Sequence, residues 1–266
     1  MRVASPAEFG AGHAWSCGTG SRVPAMRIGV LGATGPAGRG LAVRLASVGY
    51  EVVIGSRSKY RAMEVVDGLH ERWPDRELAI VAADNEGAAQ ADVVVIATPW
   101  DAAATTAESV QDALAGKVVI SMANALAKVG SEFQPLVPPR GSVAASVQAK
   151  VPRSHVAAAF HHVPAKELGD IARPIESDVL VCSDHPSATE TTIGIISTIP
   201  DLRALDSGEL SNAAPIEAFA AVLLQVNVRY KTRVALRFTG LDDGLTEPRS
   251  PEAVRAAAER QKVAGQ

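Results

Sequence analysis

Apolar residues along this chain form short runs that alternate with stretches of helical spacing. The first run, 27–31, reads Arg27-Ile28-Gly29-Val30-Leu31 and ends in glycines. Residues 36–48 then place Leu41, Leu45 and Val48 on one helical face, and Gly49 stops that helix. A second run at 51–54 precedes a helix capped by Ser58 that extends toward Arg72, where Trp73-Pro74 ends it. Runs at 79–83, 92–98 and 117–121 are the next three strands. Helices over 85–90 and 102–114 separate them, and Pro99-Trp100 is read as a loop.

Strand and helix alternating at this interval predict right-handed βαβ units and a parallel sheet. Beyond 121 the pattern loosens. Residues 131–152 carry several prolines and read as a loop with one helical turn, and strands follow at 155–159 and 179–182 with a helix over 187–197. A long apolar segment over 211–238 predicts one or two helices, capped by Ser211 or Asn212 with Pro215 in the first turn. The tail after Gly240 is polar, with a possible helix over 251–261.

The first 25 residues are rich in Gly, Ala and Ser, show neither period, and lack the apolar stretch of a signal peptide. They read as a disordered extension, or as sequence upstream of a start at Met26. The expected division is therefore an extension at 1–25, a nucleotide-binding domain at 26–150, a second region at 151–240 and a polar tail at 241–266.

Composition sharpens the picture. With 47% hydrophobic residues but only 4% aromatic, the core must be built from Ala, Val, Leu and Ile, which suits strands buried on both faces. A net charge of -3 gives no basic excess, so neither nucleic acid nor an anionic membrane is an expected partner. Two distant cysteines, Cys17 and Cys182, make neither a disulfide framework nor a metal motif, and fit a reducing cytoplasm. No apolar run is long enough to span a bilayer.

The chemistry starts at Gly32-Ala33-Thr34-Gly35-Pro36-Ala37-Gly38, between the first strand and the first helix. Gly32 allows the tight turn, Gly35 bares the backbone where a pyrophosphate approaches, and Gly38 lets helix and sheet lie close. The helix's free N–H groups then meet phosphate oxygens. This predicts a doubly wound, Rossmann-type α/β sheet that binds a dinucleotide, with a small C-terminal α/β extension.

The end of the second strand selects the cofactor. An NAD enzyme places Asp or Glu there, roughly 20 residues after the glycines. This chain has Ser56-Arg57, with Arg61 one turn on, which suits the 2′-phosphate of NADP. Two hydrogen bonds to that phosphate, each worth ~1.5–3 kcal/mol, favour NADP by roughly one to four powers of ten. Thr98-Pro99-Trp100, at the end of the fourth strand, is expected to floor the nicotinamide half of the cofactor. Asn124 reaches the carboxamide or a ribose, or is a turn residue.

His161 and His162 follow a strand at a carboxyl edge. Neighbours in an extended segment point apart, so a shared metal is not expected, whereas one histidine facing the crevice is. Leu210-Ser211-Asn212 opens the last long helix and serves as a cap or as a site for an anion or ring carbonyl. Ile216, Phe219, Val222, Leu223 and Val226 offer more apolar surface than one helix buries alone, which suggests a homodimer.

Taken together, 26–35, Gly55-Ser56-Arg57, Thr98-Pro99-Trp100, His161 with Pro164-Ala165, and Leu205-Asp206-Ser207-Gly208 leading to Leu210-Ser211-Asn212 resemble the NADPH-dependent reductases of coenzyme F-420, the 8-hydroxy-5-deazaflavin. The resemblance spans 26–238. It implies that Thr34, Gly35, Pro36 and Ala37 contact the NADP phosphates and that Ser56, Arg57 and Arg61 hold the 2′-phosphate. It also implies that 161–165 and the last helices receive the deazaflavin. The N-terminal extension and the tail depart from the family pattern, and 122–152 does not align with it. The implied reaction is hydride transfer from carbon to carbon, which needs no catalytic side chain to supply a proton at the reacting atom. The alternatives are an NADP-dependent reductase of a small imine or carbonyl, with Lys166 or His161 as proton donor, and a catalytically silent NADP sensor.

Overall fold

The computed structural model describes residues 26–241. The expected N-terminal extension, Cys17 and the expected helix at 251–261 lie outside the described residues.

Strands β1 (Arg27–Leu31), β2 (Glu51–Ser56), β3 (Ile80–Asp84), β4 (Val93–Ile96), β5 (Val118–Ser121) and β8 (His155–Ala158) pair in parallel in the order β3-β2-β1-β4-β5-β8. That is the six-stranded order of a doubly wound dinucleotide fold. The sheet then continues through β9 (Ser177–Ser183), antiparallel to β8, and β10 (Leu202–Asp206), parallel to β9.

Period-two alternation sends the strand side chains to two separate cores. Val93 and Val95 join the face covered by α1 (Pro36–Ser47), α2 (Lys59–Arg72), α7 (Ala165–Leu168) and α8 (Pro186–Ser197). Val94 and Ile96 join the face covered by α3 (Asn85–Ala89), α4 (Trp100–Ser109), α5 (Gln111–Leu114), α6 (Val143–Lys150) and α9 (Ala213–Tyr230). Burial on both faces is why these strands read as continuous apolar runs.

The structure departs from the sequence reading in several places. The segment read as a loop with one helical turn contains an antiparallel hairpin, β6 (Leu126–Val129) with β7 (Glu132–Pro135), and the eight-residue α6. Gly130, at φ 61°, makes the hairpin turn, and Ser142 caps α6 by accepting from the Ala145 amide at 2.9 Å. The helix expected over 102–114 starts at Trp100 and breaks at Val110 into α4 and α5. Strand β10 was not foreseen.

Three expected caps also differ. Ser58 makes no side-chain cap, and its amide instead donates to Ser56 Oγ at 3.3 Å. A 3-10 turn, Leu210–Asn212, precedes α9, and neither Ser211 nor Asn212 caps it. The Asn212 amide turns back to donate to the Ser207 carbonyl at 2.6 Å.

Candidate active site

Two adjoining concavities lie at the carboxyl ends of the parallel strands. The larger, of about 1130 Å³, runs between the loop after β1, the end of β2 and the exposed side of α4. Gly32, Thr34, Gly35, Pro36, Ala37, Gly38, Ser56, Arg57, Arg61, Thr98 and Pro99 all line it.

The three glycines differ in what demands them. Gly32 has φ +78°, and a Cβ there would meet Thr98 Cγ2 at 2.4 Å. At Gly38 a Cβ would meet Ala97 Cβ at 2.8 Å and Ala33 Cα at 2.9 Å, so this glycine sets how closely α1 lies on the sheet. Nothing lies within 4 Å of a Cβ on Gly35. Packing does not require that glycine, and its bare backbone forms part of the cleft wall. The first turn of α1 has no side-chain cap and no acidic residue. Its amides are therefore left for an anion.

Among the described residues no carboxylate lines the cleft. Ser56 is buried with its hydroxyl at the rim, while Arg57 and Arg61 are exposed and have no ion-pair partner among the described residues. The donor set fits a dinucleotide with an added phosphate on the ribose. Asn85, Thr105, Thr106 and Ser109 complete the wall, and none was foreseen. Three of them lie on one face of α4, where isolated hydroxyls in a helix carry no sequence signal.

The smaller cavity, of about 390 Å³, is assembled from four distant stretches: Ala37, Met122 with Asn124, residues 160–166, and Ala220 to Val234 of α9 and the segment after it. His161, Pro164 and Ala165 line it as expected, and most of the remaining lining is apolar. Ala37 lines both spaces, so the two meet at the second residue of α1.

Both histidines are buried. Burial and the neighbouring His162 push the His161 pKa down to about 3, against the pull of the Met122 and Ala123 carbonyls. Those carbonyls lie alongside, yet neither His161 ring nitrogen has a partner in hydrogen-bond geometry. Burial likewise lowers His162 to about 4, and its Nε2 accepts from the Leu180 amide at 3.3 Å. Both rings are therefore neutral at pH 7. Asn124 Nδ2 donates to the His161 carbonyl at 2.6 Å. Phe160, just before, holds φ 65°, a left-handed conformation unusual for a bulky residue.

Three expected site residues come to neither space. Trp100 opens α4 and packs, partly buried, on the second core. Ser211 and Asn212 are exposed, about 12 Å along the helical rise from Ala220, the first α9 residue to reach the cavity. Among the described residues no group of three His, Cys, Asp or Glu stands where it could hold a metal ion.

Over 27–125 the chain matches the family described as NADP oxidoreductase, coenzyme F420-dependent. It is 35% identical over 223 residues to the F420-dependent NADP reductase of Methanocaldococcus jannaschii, covering 82% of this chain and 100% of that one. The chain belongs to the F420-dependent NADP reductase family. Another member, from Methanothermobacter marburgensis, is 35% identical over 224 residues, again 82% of this chain and 100% of the relative. The crystal structure of a putative F420-dependent NADP reductase from Arthrobacter sp. FB24 superposes with a TM-score of 0.69 at 23% identity, covering 80% of this chain and 99% of that one. This likeness shows that the family's solved fold and the present one are the same.

Proposed function

We infer that this chain is an oxidoreductase that transfers a hydride between NADP(H) and coenzyme F-420. The observation that carries the reading is the meeting of the two spaces at Ala37, which puts a dinucleotide cleft and a mostly apolar cavity within a side chain of each other. When bound, NADP(H) and the deazaflavin would supply the chemistry, exchange of a hydride between C4 of the nicotinamide and C5 of the deazaflavin with water as source of the balancing proton.

The chain's own residues bind, orient and exclude water. The amides of Ala37 and Gly38 would hold the pyrophosphate, and Ser56, Arg57 and Arg61 the 2′-phosphate. Thr98 and Pro99 support the nicotinamide half. Phe160, Val163, Leu223 and Leu224 would give the deazaflavin apolar contacts, and Pro164 and Ala165 line the same cavity. Bringing two rings to near contact supplies several kcal/mol of the rate enhancement without an acid or base. A small imine would instead need a proton donor; a His161 held neutral by burial is a poor one, which leaves Lys166 at the cavity wall as that reading's candidate.

Residues 26–150 thus serve mainly the cofactor and 151–240 the acceptor, although Ala37 lines both spaces and Met122 and Asn124 line the acceptor cavity. Phe219 and Val222 on α9, with Val129, Leu136 and Val137 of and beside the hairpin, leave an apolar face exposed. This face is the proposed homodimer contact, and Val222→Lys should turn a dimer into a monomer in light scattering. No helix among the described residues is long and apolar enough to cross a membrane, and the reaction is assigned to the cytoplasm.

The test is absorbance at the deazaflavin band on mixing with NADPH and oxidised coenzyme F-420. Bleaching that NADH barely reproduces, and that Arg57→Glu weakens by roughly ten- to hundred-fold in kcat/KM for NADPH, is the expected result. NADPH binding without bleaching would overturn the assignment.

A further inference from the structure

Arg44 lies on α1, about 12 Å along the helical rise from its phosphate-binding end. Its side chain is almost fully buried, yet no carboxylate oxygen lies within ion-pair distance of it among the described residues. Instead it donates to four backbone carbonyls of one segment. Nε reaches Leu168 at 3.2 Å, Nη1 reaches Arg173 at 2.8 Å, and Nη2 reaches Glu167 at 2.8 Å and Asp170 at 2.6 Å. These are carbonyls at the end of α7 and in the turn beyond it, and two of them, Glu167 and Asp170, also accept from the Asp170 and Arg173 amides at 3.3 and 3.2 Å, so the guanidinium adds to the turn's own bonds.

One turn nearer the phosphate end, Gly40 brings the two backbones together. A Cβ there would meet the Ala165 carbonyl oxygen at 2.7 Å and the Gly169 amide nitrogen at 3.0 Å. Ala165 and its neighbours Pro164 and Lys166 line the acceptor cavity. From the other side, Asn124 holds the His161 carbonyl. The left-handed Phe160 stands immediately before the first of these ties along the chain, and a strained residue persists only where its surroundings over-determine it. One helix thus carries the cofactor's phosphates on its first turn and the acceptor's wall on its second and third.

We propose that Arg44 is a positioning residue for hydride transfer, locking the acceptor wall to the cofactor helix through the four carbonyls and so fixing the spacing between the two rings. The proposal rests on the hydride-transfer reading above. A buried arginine serving stability alone would have no reason to link these two particular surfaces, and it would leave no mark on the transfer step itself.

The experiment compares the full chain with Arg44→Met, Arg44→Lys and Gly40→Ala, the last pushing the same wall outward with Arg44 intact. For each, NADPH affinity is measured by nicotinamide fluorescence and the hydride step by single-turnover bleaching with NADPH and with NADPH deuterated at C4, across a range of temperatures. Arg44→Met and Gly40→Ala should slow transfer roughly ten- to hundred-fold, the scale of a small misplacement of reacting atoms, with NADPH affinity unchanged. The deuterium isotope effect should become steeper with temperature, and Arg44→Lys should fall between parent and Arg44→Met.

If folded variants transfer hydride at the parental rate, the proposal is wrong. It is equally wrong if rate and NADPH affinity fall together while the isotope effect keeps its parental temperature dependence, because that describes general destabilisation. Should Arg44→Met fail to fold, Gly40→Ala decides on the same criteria. A parent that binds NADPH but bleaches nothing overturns the functional reading itself, and this inference with it.

Discussion

The two halves of the active site are built on opposite plans. The cofactor cleft takes most of its chemistry from two short stretches of the first βαβ unit, the glycine loop and the end of β2, with exposed guanidinium groups at its rim. The acceptor cavity gathers side chains from four stretches of the chain and encloses two buried, neutral imidazoles. In the first, backbone conformation does the work, and in the second, tertiary placement does. The cleft should therefore be sensitive to single Cβ atoms, and the cavity to protonation and to shifts of the elements that carry it.

The largest effect expected from a single atom is at Gly32. Gly32→Ala forces an L side chain to φ +78° and drives its Cβ to 2.4 Å from Thr98 Cγ2 and 2.8 Å from Thr98 Cα. The left-handed strain and the overpacking together should cost about 3–5 kcal/mol. Urea unfolding should show that loss, and isothermal titration should show no measurable NADPH binding. Near-parental stability would mean that the loop relaxes and that the cleft is less dependent on backbone than argued here.

The same contrast explains what could be read before the structure. Gly32, Gly35 and Gly38 stand at fixed spacing beside a strand, and Ser56-Arg57 stands at the end of the next, so local sequence already contains the geometry. Val93 to Ile96 reveal a buried strand by being apolar on both faces. The acceptor cavity offers no such signal. Leu223 and Leu224 look like any helix core, and only the return of residues 232–234 across α9 brings them to a binding surface. The hairpin was hidden because Leu126–Val129 and Glu132–Pro135 are half exposed, with no clean alternation. Trp100 misled because a large aromatic at a strand end suggests a ligand platform, whereas the early start of α4 turns it onto the core. Ser211 and Asn212 reach neither space, and Asn212 spends its side-chain amide on the Ser207 carbonyl, because turn chemistry and ligand chemistry use the same residue types.

Acid should strike the cavity and spare the cleft. Both imidazoles are more acidic folded than unfolded. Their contribution to stability is complete above about 6.5 and drains away as pH falls toward about 4 for His162 and about 3 for His161. Each can cost up to ~1.4 kcal/mol per pH unit in that window. Glu217 acts in the opposite sense. Burial lifts its carboxyl to about 7, although it accepts from the Val143 and Ala144 amides at 2.8 and 3.1 Å. The folded state therefore gains a proton at Glu217 before the unfolded state does, which offsets the histidines. In a Glu217→Gln chain the histidine term stands alone, and unfolding free energy should fall by about 2–3 kcal/mol between pH 7.5 and 5.5. The parent should lose less. A flat profile in the Gln variant would mean that the imidazoles are open to water and that the cavity wall is looser than described.

The smallest and most discriminating effect is at Gly35. Gly32 and Gly38 are glycines because the protein's own atoms crowd them, and Gly35 has empty space where a Cβ would sit. Its φ of -79° is open to any residue. Gly35→Val should therefore leave the thermal midpoint of the unliganded protein close to that of the parent. The new side chain would instead occupy the approach to the first-turn amides of α1 and lower NADPH affinity about tenfold, a change of about 1.4 kcal/mol. The acceptor cavity, which does not include Gly35, should keep its affinity for oxidised deazaflavin measured without NADPH. An unfolded variant would show that this glycine serves packing after all. A folded variant with parental NADPH affinity would move the pyrophosphate away from the loop, and a loss of deazaflavin binding would mean that the two spaces are one.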